Sequence, residues 1–342
     1  MMSFCEYPTH FLAAATIAPA IVSASLRLLA DDPVTLEGHD EYVYMISFSG
    51  DGKLMATAAG DNTAIVWDLS DRKPLHVLAH EAAVYAAAIS PDGKVVATGT
   101  GERKLSLWKV QDGQRVKHIE AHKNALYCVE YSKDGRQLAS AGGSTDGGDT
   151  TCRLWRVEDL TKVSEFKGHV RQIYGLAFSL DEKLLATGSS DKTIRIWNLD
   201  KDQSTELKGH TSDVYRIAFS PDQRQLASVS QDGSVRIWNV NTGKATEVHA
   251  GGKKNPMYAV AFDLDGESLA AVGDDGRLRT WRTKDWKLEM ESRVSKLPLY
   301  AVAFPPGQSL AVTAGEDGKV YLIDRRVSAD TSALHPQAAG SD

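Results

Sequence analysis

A tryptophan recurs along this chain at Trp67, Trp108, Trp155, Trp197, Trp238 and Trp281, and Ile323 stands where a seventh would fall. The steps between these positions are 41, 47, 42, 41, 43 and 42 residues. A period of this size means that one supersecondary unit is repeated, so the shape of one unit governs the shape of the whole. Residues 168–198 show the unit most plainly. Ile-Tyr-Gly-Leu-Ala-Phe and Lys-Leu-Leu-Ala-Thr-Gly-Ser alternate large and small side chains with Ser-Leu-Asp-Glu between them, and Thr-Ile-Arg-Ile-Trp follows a Ser-Ser-Asp-Lys turn. These are three short antiparallel strands, and Ser-Thr-Glu-Leu-Lys just beyond supplies a fourth. Such a unit cannot bury both of its faces alone, so it needs neighbours of its own kind.

A Gly-His or Ala-His pair lies 28 residues before the tryptophan at His39, His80, His169 and His210. At His122 the gap is 33, because the third repeat carries five extra residues. This spacing, with Trp67-Asp68 after the third strand, resembles the WD-repeat family over about residues 33–326. The resemblance implies an all-β chain, a seven-bladed β-propeller of four-stranded antiparallel blades around a central channel. Val34–Glu37 reads as a strand of the fourth type, whereas the last repeat stops after its third strand at Tyr-Leu-Ile-Asp-Arg-Arg. The N-terminal strand is therefore expected to pair with the last blade and close the ring. The domains read as a leader over 1–32, the propeller over 33–326 and a disordered tail over 327–342.

Two sets of polar residues repeat with the tryptophan. Six positions before it stand Asp61, Glu102, Asp149, Asp191, Asp232, Asp275 and Asp317. Four residues earlier stand Thr57, Thr98, Thr187, Ser228, Ala271 and Thr313, with Ser140 as the match in the longer third repeat. In the family that this chain resembles, such residues form a hydrogen-bonded tetrad of His, Ser or Thr, Asp and Trp inside each blade. The resemblance implies four full sets: His39, Thr57, Asp61 and Trp67; His122, Ser140, Asp149 and Trp155; His169, Thr187, Asp191 and Trp197; His210, Ser228, Asp232 and Trp238. An indole N–H can only donate, a hydroxyl can accept it and donate onward, and a carboxylate can hold the imidazole. The sixth repeat is read as lacking its hydroxyl and its histidine, and the seventh as lacking its tryptophan and its histidine. A His–Asp–Ser group repeated around a ring is scaffold chemistry, not a catalytic site.

A tyrosine also repeats, seventeen residues before the Asp position, at Tyr44, Tyr85, Tyr174, Tyr215, Tyr258 and Tyr300, and at Tyr127 once the insertion is counted. Alternation places Tyr174, Leu176 and Phe178 on one strand face, which would make the tyrosines packing between blades. The resemblance instead places them at the start of the innermost strand, at the channel mouth on the usual partner-binding face. Tyrosine rather than Phe, Leu or Val at every position favours a half-wet surface, where a broad apolar ring and a polar hydroxyl are both useful. Asp213 beside Tyr215 would favour a positively charged group. The opposite-face positions of that strand are small at Ala86, Gly175, Ala259 and Ala301, and Arg216 and Glu130 break the rule as a stabilising pair or a binding contact.

The expected function is a non-enzymatic scaffold that binds a protein or peptide through these tyrosines, Asp213 and Arg216. The alternative is an enzyme or a cofactor-assembly component that uses the central pocket. No nucleophile elbow, metalloprotease helix, phosphate loop or dinucleotide fingerprint occurs. No cofactor and no metal are expected, since Asp146 and Asp149 in a Gly-rich loop fall short of a Ca²⁺ ligand set. A net charge of −6 and a pI near 5.9 argue against nucleic acid as a partner. The chain is expected as a monomer or as part of a larger complex. Cys5, Cys128 and Cys152 have no metal-ligand spacing, and the latter two read as small buried hydrophobes. Residues 11–24 are an apolar run with small-residue cleavage options at Ala24 and Ala30, which resembles a secretory signal and favours export to the periplasm or the outside. The leader before Phe11 has no Lys or Arg and carries Glu6, which keeps a cytoplasmic location as the alternative. Ala richness and Pro19 make the run a poor membrane span.

Overall fold

Among the described residues, twenty-eight strands pair into seven antiparallel sheets of four, six of them meanders and the seventh completed by the first strand of the chain. The structure is a computed structural model that describes residues 33–325, apart from 145, 147, 202, 251 and 253. The expected leader, the tail and Cys5 lie outside the described residues. Blade 1 runs from Val43 to Ala79, blade 2 from Val84 to Glu120 and blade 3 from Leu126 to Phe166. Blade 4 spans Ile173 to Lys208, blade 5 Val214 to Ala250 and blade 6 Met257 to Arg293. Blade 7 takes three strands from Leu299 to Asp324 and its outermost strand from Val34–Leu36.

That last pairing closes the ring, as the sequence predicts. Val34 faces Leu322, Thr35 faces Tyr321 and Leu36 faces Val320. Lys319 Nζ reaches Glu37 Oε1 at 2.8 Å just past the strand end. Leu36 is buried in a cluster that joins blade 7 to blade 1 through Trp67, Val320 and Leu322.

The core is not one mass but seven, one in each gap between blades. The gap between blades 4 and 5, for example, holds Ala177, Ala186, Ile194 and Ile196 from one side and Val214, Ile217, Leu226 and Trp238 from the other. Residue size follows the wedge shape of the gap. Ala56, Ala97, Ala139, Ala186, Ala227 and Ala270 on the second strands are fully buried close to the axis, where the blades converge. The tryptophans sit on the third strands, where the gap is wider and a large ring fills it at interior packing density. Blade 7 has Tyr321 and Ile323 in that place.

Cys128 and Cys152 are buried free thiols. Both sit opposite Ala141, one on each side of it, so a strand separates them. Burial pushes the Cys128 thiol up to about 12, which keeps it in the unreactive form.

Candidate partner-binding face

The loops that enter each blade and the turns that join its second and third strands share one face of the ring, and the tetrads staple the two together. In blade 1, His39 Nδ1 lies 2.9 Å from Asp61 Oδ2, His39 Nε2 lies 2.7 Å from Thr57 Oγ1, and Trp67 Nε1 donates to Thr57 Oγ1 at 2.9 Å. Asp61 Oδ2 also accepts the main-chain N–H of Asp40 at 3.0 Å, which pins the entering loop to the turn. Donors and acceptors match throughout when the imidazole is neutral and carries its proton on Nδ1. Blade 4 repeats the arrangement with His169, Thr187, Asp191 and Trp197, and blade 5 with His210, Ser228, Asp232 and Trp238. Hydrogen bonds from the imidazole and the turn hold these carboxylates below the usual range despite burial, Asp61 at about 2.

Blade 3 departs from the pattern. Trp155 donates to Ser140 Oγ at 2.8 Å and His122 Nε2 lies 2.8 Å from the same oxygen. His122 Nδ1, however, is 3.3 Å from Asp149 Oδ2 and off the hydrogen-bond direction. The carboxylate is engaged instead by Arg153 Nη1 at 2.8 Å and by the main-chain N–H of Lys123 at 2.8 Å. In blade 2 the longer Glu102 pairs with Lys104 at 2.9 Å, and His80 stands edge-on to Trp108 with its Nε2 buried and unpartnered. Burial and the positive charge of Arg115 and Lys104 hold His80 neutral, down to about 4. The loop that enters blade 6 has no histidine, as read from sequence. His249, on the last strand of blade 5 and four residues early for the repeat, packs against Trp281 instead, with ring centroids 6.0 Å apart. Its usual carboxylate partner, Asp275, is held by Arg279. In blade 7, Tyr321 Oη donates to Asp317 at 2.5 Å.

The tyrosines form a closed ring. Centroid separations run 5.4 Å from Tyr44 to Tyr85, 5.2 Å to Tyr127, 5.1 Å to Tyr174, 5.6 Å to Tyr215, 5.4 Å to Tyr258, 5.1 Å to Tyr300 and 6.2 Å back to Tyr44. Neighbouring planes are tilted by 41–59°, between stacked and edge-to-face, and so avoid the face-to-face sandwich that aromatic quadrupoles disfavour. Tyr42 packs beside this ring against Tyr44 and Tyr300.

The cause is a β-bulge in every blade. The pairing of first and second strands shifts register between Val43 and Met45, Val84 and Ala86, Leu126 and Cys128, Ile173 and Gly175, Val214 and Arg216, Met257 and Ala259, and Leu299 and Ala301. The residue skipped is each time the tyrosine, and a bulge re-aims the side chain that it frees. This corrects the simple alternation read from sequence. Ile173, not Tyr174, shares the packed face with Leu176 and Phe178, because the bulge inverts the parity of the strand.

Tyr127, Tyr174, Tyr215 and Tyr300 are buried within the ring, while Tyr44, Tyr85 and Tyr258 are half-buried at its surface. Carboxylates rim one side of it. Asp274 Oδ1 accepts from Tyr258 Oη at 3.2 Å and Glu316 Oε2 from Tyr300 Oη at 2.9 Å. Burial, Glu316 and Glu41 together raise Tyr42 above the ordinary phenol value. Asp213 lies on the same face, with its carboxyl raised mainly by burial. Arg216 sits lower, in the channel. Its Nη1 donates to the carbonyl of Tyr174 and its Nη2 to that of Tyr44 at 3.5 Å, so it braces strands on two sides of the opening.

A family model described as the IFT122 first beta-propeller matches residues 101–328. A second, described as WD domain, G-beta repeat, matches residues 32–68 and 72–109. The chain belongs to the WD-repeat β-propellers. Members of such families typically bind proteins and are in general scaffolds without catalysis. Among the described residues of this WD-repeat propeller, no helix is long and apolar enough to cross a membrane.

The sequence reading of this WD-repeat propeller missed two groups. Tyr42 and Glu41 have no counterpart in the other repeats, and Asp274 and Glu316 share a position that is acidic only in the last two, so no sevenfold periodicity marks them. The second group does repeat. Two residues before the tryptophan, Arg153, Arg195, Arg236 and Arg279 face Glu165, Glu206, Glu247 and Glu291 across the third and fourth strands of blades 3 to 6. The guanidinium-to-carboxylate distances are 3.0, 2.9, 2.8 and 2.8 Å. Arg153 and Arg279 are buried, the pairs of blades 4 and 5 are partly exposed, and all four replace an apolar contact such as Ile65 opposite Val77 in blade 1. A double-mutant cycle on Arg195 and Glu206 is expected to give a coupling of about 0.3–1 kcal/mol that shrinks in 1 M salt. Coupling unchanged by salt would contradict the assignment of this pair as a screened surface bridge.

Proposed function

We propose that this propeller is a non-enzymatic scaffold that holds a protein or peptide segment over the tyrosine ring, with a lysine or arginine of the partner directed at the channel mouth. The observation that carries the reading is the ring itself: seven bulges, one per blade, turn seven tyrosines to one opening. Packing alone would be served by any large apolar residue, and a bulge sacrifices strand pairing at each site. The aromatic faces attract a cation by about 0.5–2 kcal/mol per contact. Glu41, Asp274 and Glu316 add negative potential on the same side, and Asp213 does so across blade 5. Tyr44, Tyr85 and Tyr258 are the members with surface to offer, and Arg216 holds the backbone beneath them in place.

Selection from a peptide library displayed on phage tests the proposal. Recovered peptides should be enriched in lysine or arginine, and Tyr85→Ala combined with Glu316→Gln should weaken them at least ten-fold without lowering the melting temperature by more than a few degrees. Val116→Ser, on the outer strand of blade 2, should leave them unchanged. Peptides without cationic residues, or peptides that bind the doubly substituted protein equally well, would overturn the reading.

A further inference from the structure

The opposite face of the ring carries a second recess, built from different chemistry. Where the innermost strands of blades 4, 5 and 6 end, Phe178, Leu180, Phe219, Pro221, Phe262 and Leu264 line an open recess of about 250 Å³. Leu180 and Leu264 are 37% and 60% exposed, which is unusual for leucines that flank a recess. Each occupies the second position of a turn, a place filled by Gly50, Pro91, Lys133, Pro221 and Pro306 in the other blades. Leucine stands there only in blades 4 and 6, on either side of Pro221.

One carboxylate reaches into this apolar recess. Glu130, from the innermost strand of blade 3, lines the cavity beside Ala177 and Phe178. The equivalent residue is Ser47, Ala88, Ala177, Ala218, Ala261 or Ala303 in the other blades, so nothing in the repeat requires an acid there. Glu130 Oε1 accepts the main-chain N–H of Phe178 at 3.3 Å. It makes no ion pair among the described residues, and Arg216 is committed to the carbonyls of Tyr174 and Tyr44. Asp263, the other acid of the cavity, already has Arg325 at 2.7 Å. Burial pushes the Glu130 carboxyl up to about 8, and neither the Phe178 N–H nor the through-space charge of Arg216 offsets it.

We infer that this recess binds a partner's peptide segment in which a single lysine or arginine lies between apolar residues, its cationic head meeting Glu130 and its neighbours covering Leu180 and Leu264. Charge complementarity selects the occupant. A carboxylate at the end of an apolar passage is stabilised by a cation whose alkyl stem can lie along the walls, and the long basic side chains have this form. Size favours a peptide over a free small molecule, since the cavity is smaller than the ~300–1,000 Å³ of typical small-molecule sites and its apolar lining continues onto the surface. The site lies on the far face from the tyrosine ring and does not depend on it.

The test uses the full chain and acetylated nine-residue peptides with a central lysine flanked by leucines, alongside the same peptides with norleucine or glutamate at the centre. Fluorescence anisotropy should show the lysine series at least ten-fold tighter than the norleucine series. Glu130→Gln should erase that difference, and Glu130→Lys should transfer the preference to the glutamate series. Leu180→Ser with Leu264→Ser should weaken both the lysine and norleucine series, while Tyr85→Ala should change neither. Equal binding of lysine and norleucine peptides, or no binding of the lysine series at millimolar peptide, overturns the inference. So does self-association in sedimentation that Leu264→Ser abolishes, which would assign the face to a second copy of the chain.

Discussion

A chain that begins at His39 is expected to melt about 10 °C or more below one that begins at Pro33. The difference between them is the strand Val34–Leu36 with its short flanks. Its loss removes a buried leucine, worth about 1.5–3 kcal/mol, together with a row of strand pairing. It also leaves Val320–Asp324 as a bare edge beside Trp67 and Val43. For a domain of this size each kcal/mol shifts the midpoint by roughly 2–4 °C, so several lost together give the figure above. The shorter chain should also aggregate on heating, because an unpaired hydrophobic edge templates association. Equal melting temperatures for the two chains would remove the closing strand from any account of stability.

The second large effect concerns the tetrads. Asp191→Asn or Trp197→Phe should each lower stability at pH 7 by about 1–3 kcal/mol, since each leaves a buried polar partner unsatisfied. The pH profile separates the aspartate from the tryptophan. Asp61, Asp191 and Asp232 titrate lower in the folded chain than in the unfolded one, so the unfolded chain binds more protons in acid. Their contribution is therefore complete above the unfolded value near 3.8 and is lost as pH falls through about 2 and below. Stability of the parent chain should fall steeply from about pH 4 downward. Asp191→Asn should start lower and fall less steeply, whereas Trp197→Phe should start lower and keep the parent slope. A parent-like slope for Asp191→Asn in urea titrations across that range would contradict the assignment.

Much of this was legible beforehand because a repeat reports on itself. Seven registrations of one strand pattern give the blade count, and the mismatch between Val34–Glu37 and the truncated last repeat gives the closure. What alternation cannot reveal is a bulge, because a single extra residue inverts the parity of everything before it. Tyr174 therefore read as a packing residue with Leu176, although the fold swaps it for Ile173. The tyrosine period itself was visible, and the family resemblance already pointed it to the channel mouth; the bulges supply the local geometry that frees each tyrosine from the packed strand face. His249 escaped because four added residues moved it out of phase. Glu130 was noticeable as an acid among small residues, yet only the fold shows that apolar turns from three other blades surround it.

The closing strand also has a consequence in time. Leu36 meets Leu322 and Val320 from the far end of the chain, so this sheet is the one with the greatest sequence separation. The other six blades are local meanders that can assemble as soon as about forty residues of each are available, and loop-closure entropy favours them. During synthesis the first strand must wait, unpaired, while six blades form behind it, and the ring locks only when Val320–Asp324 arrives. The last kinetic step of folding should thus be docking at a single seam. Substitutions in that seam, such as Leu36→Ala, should leave the early phases of refolding untouched and chiefly accelerate unfolding.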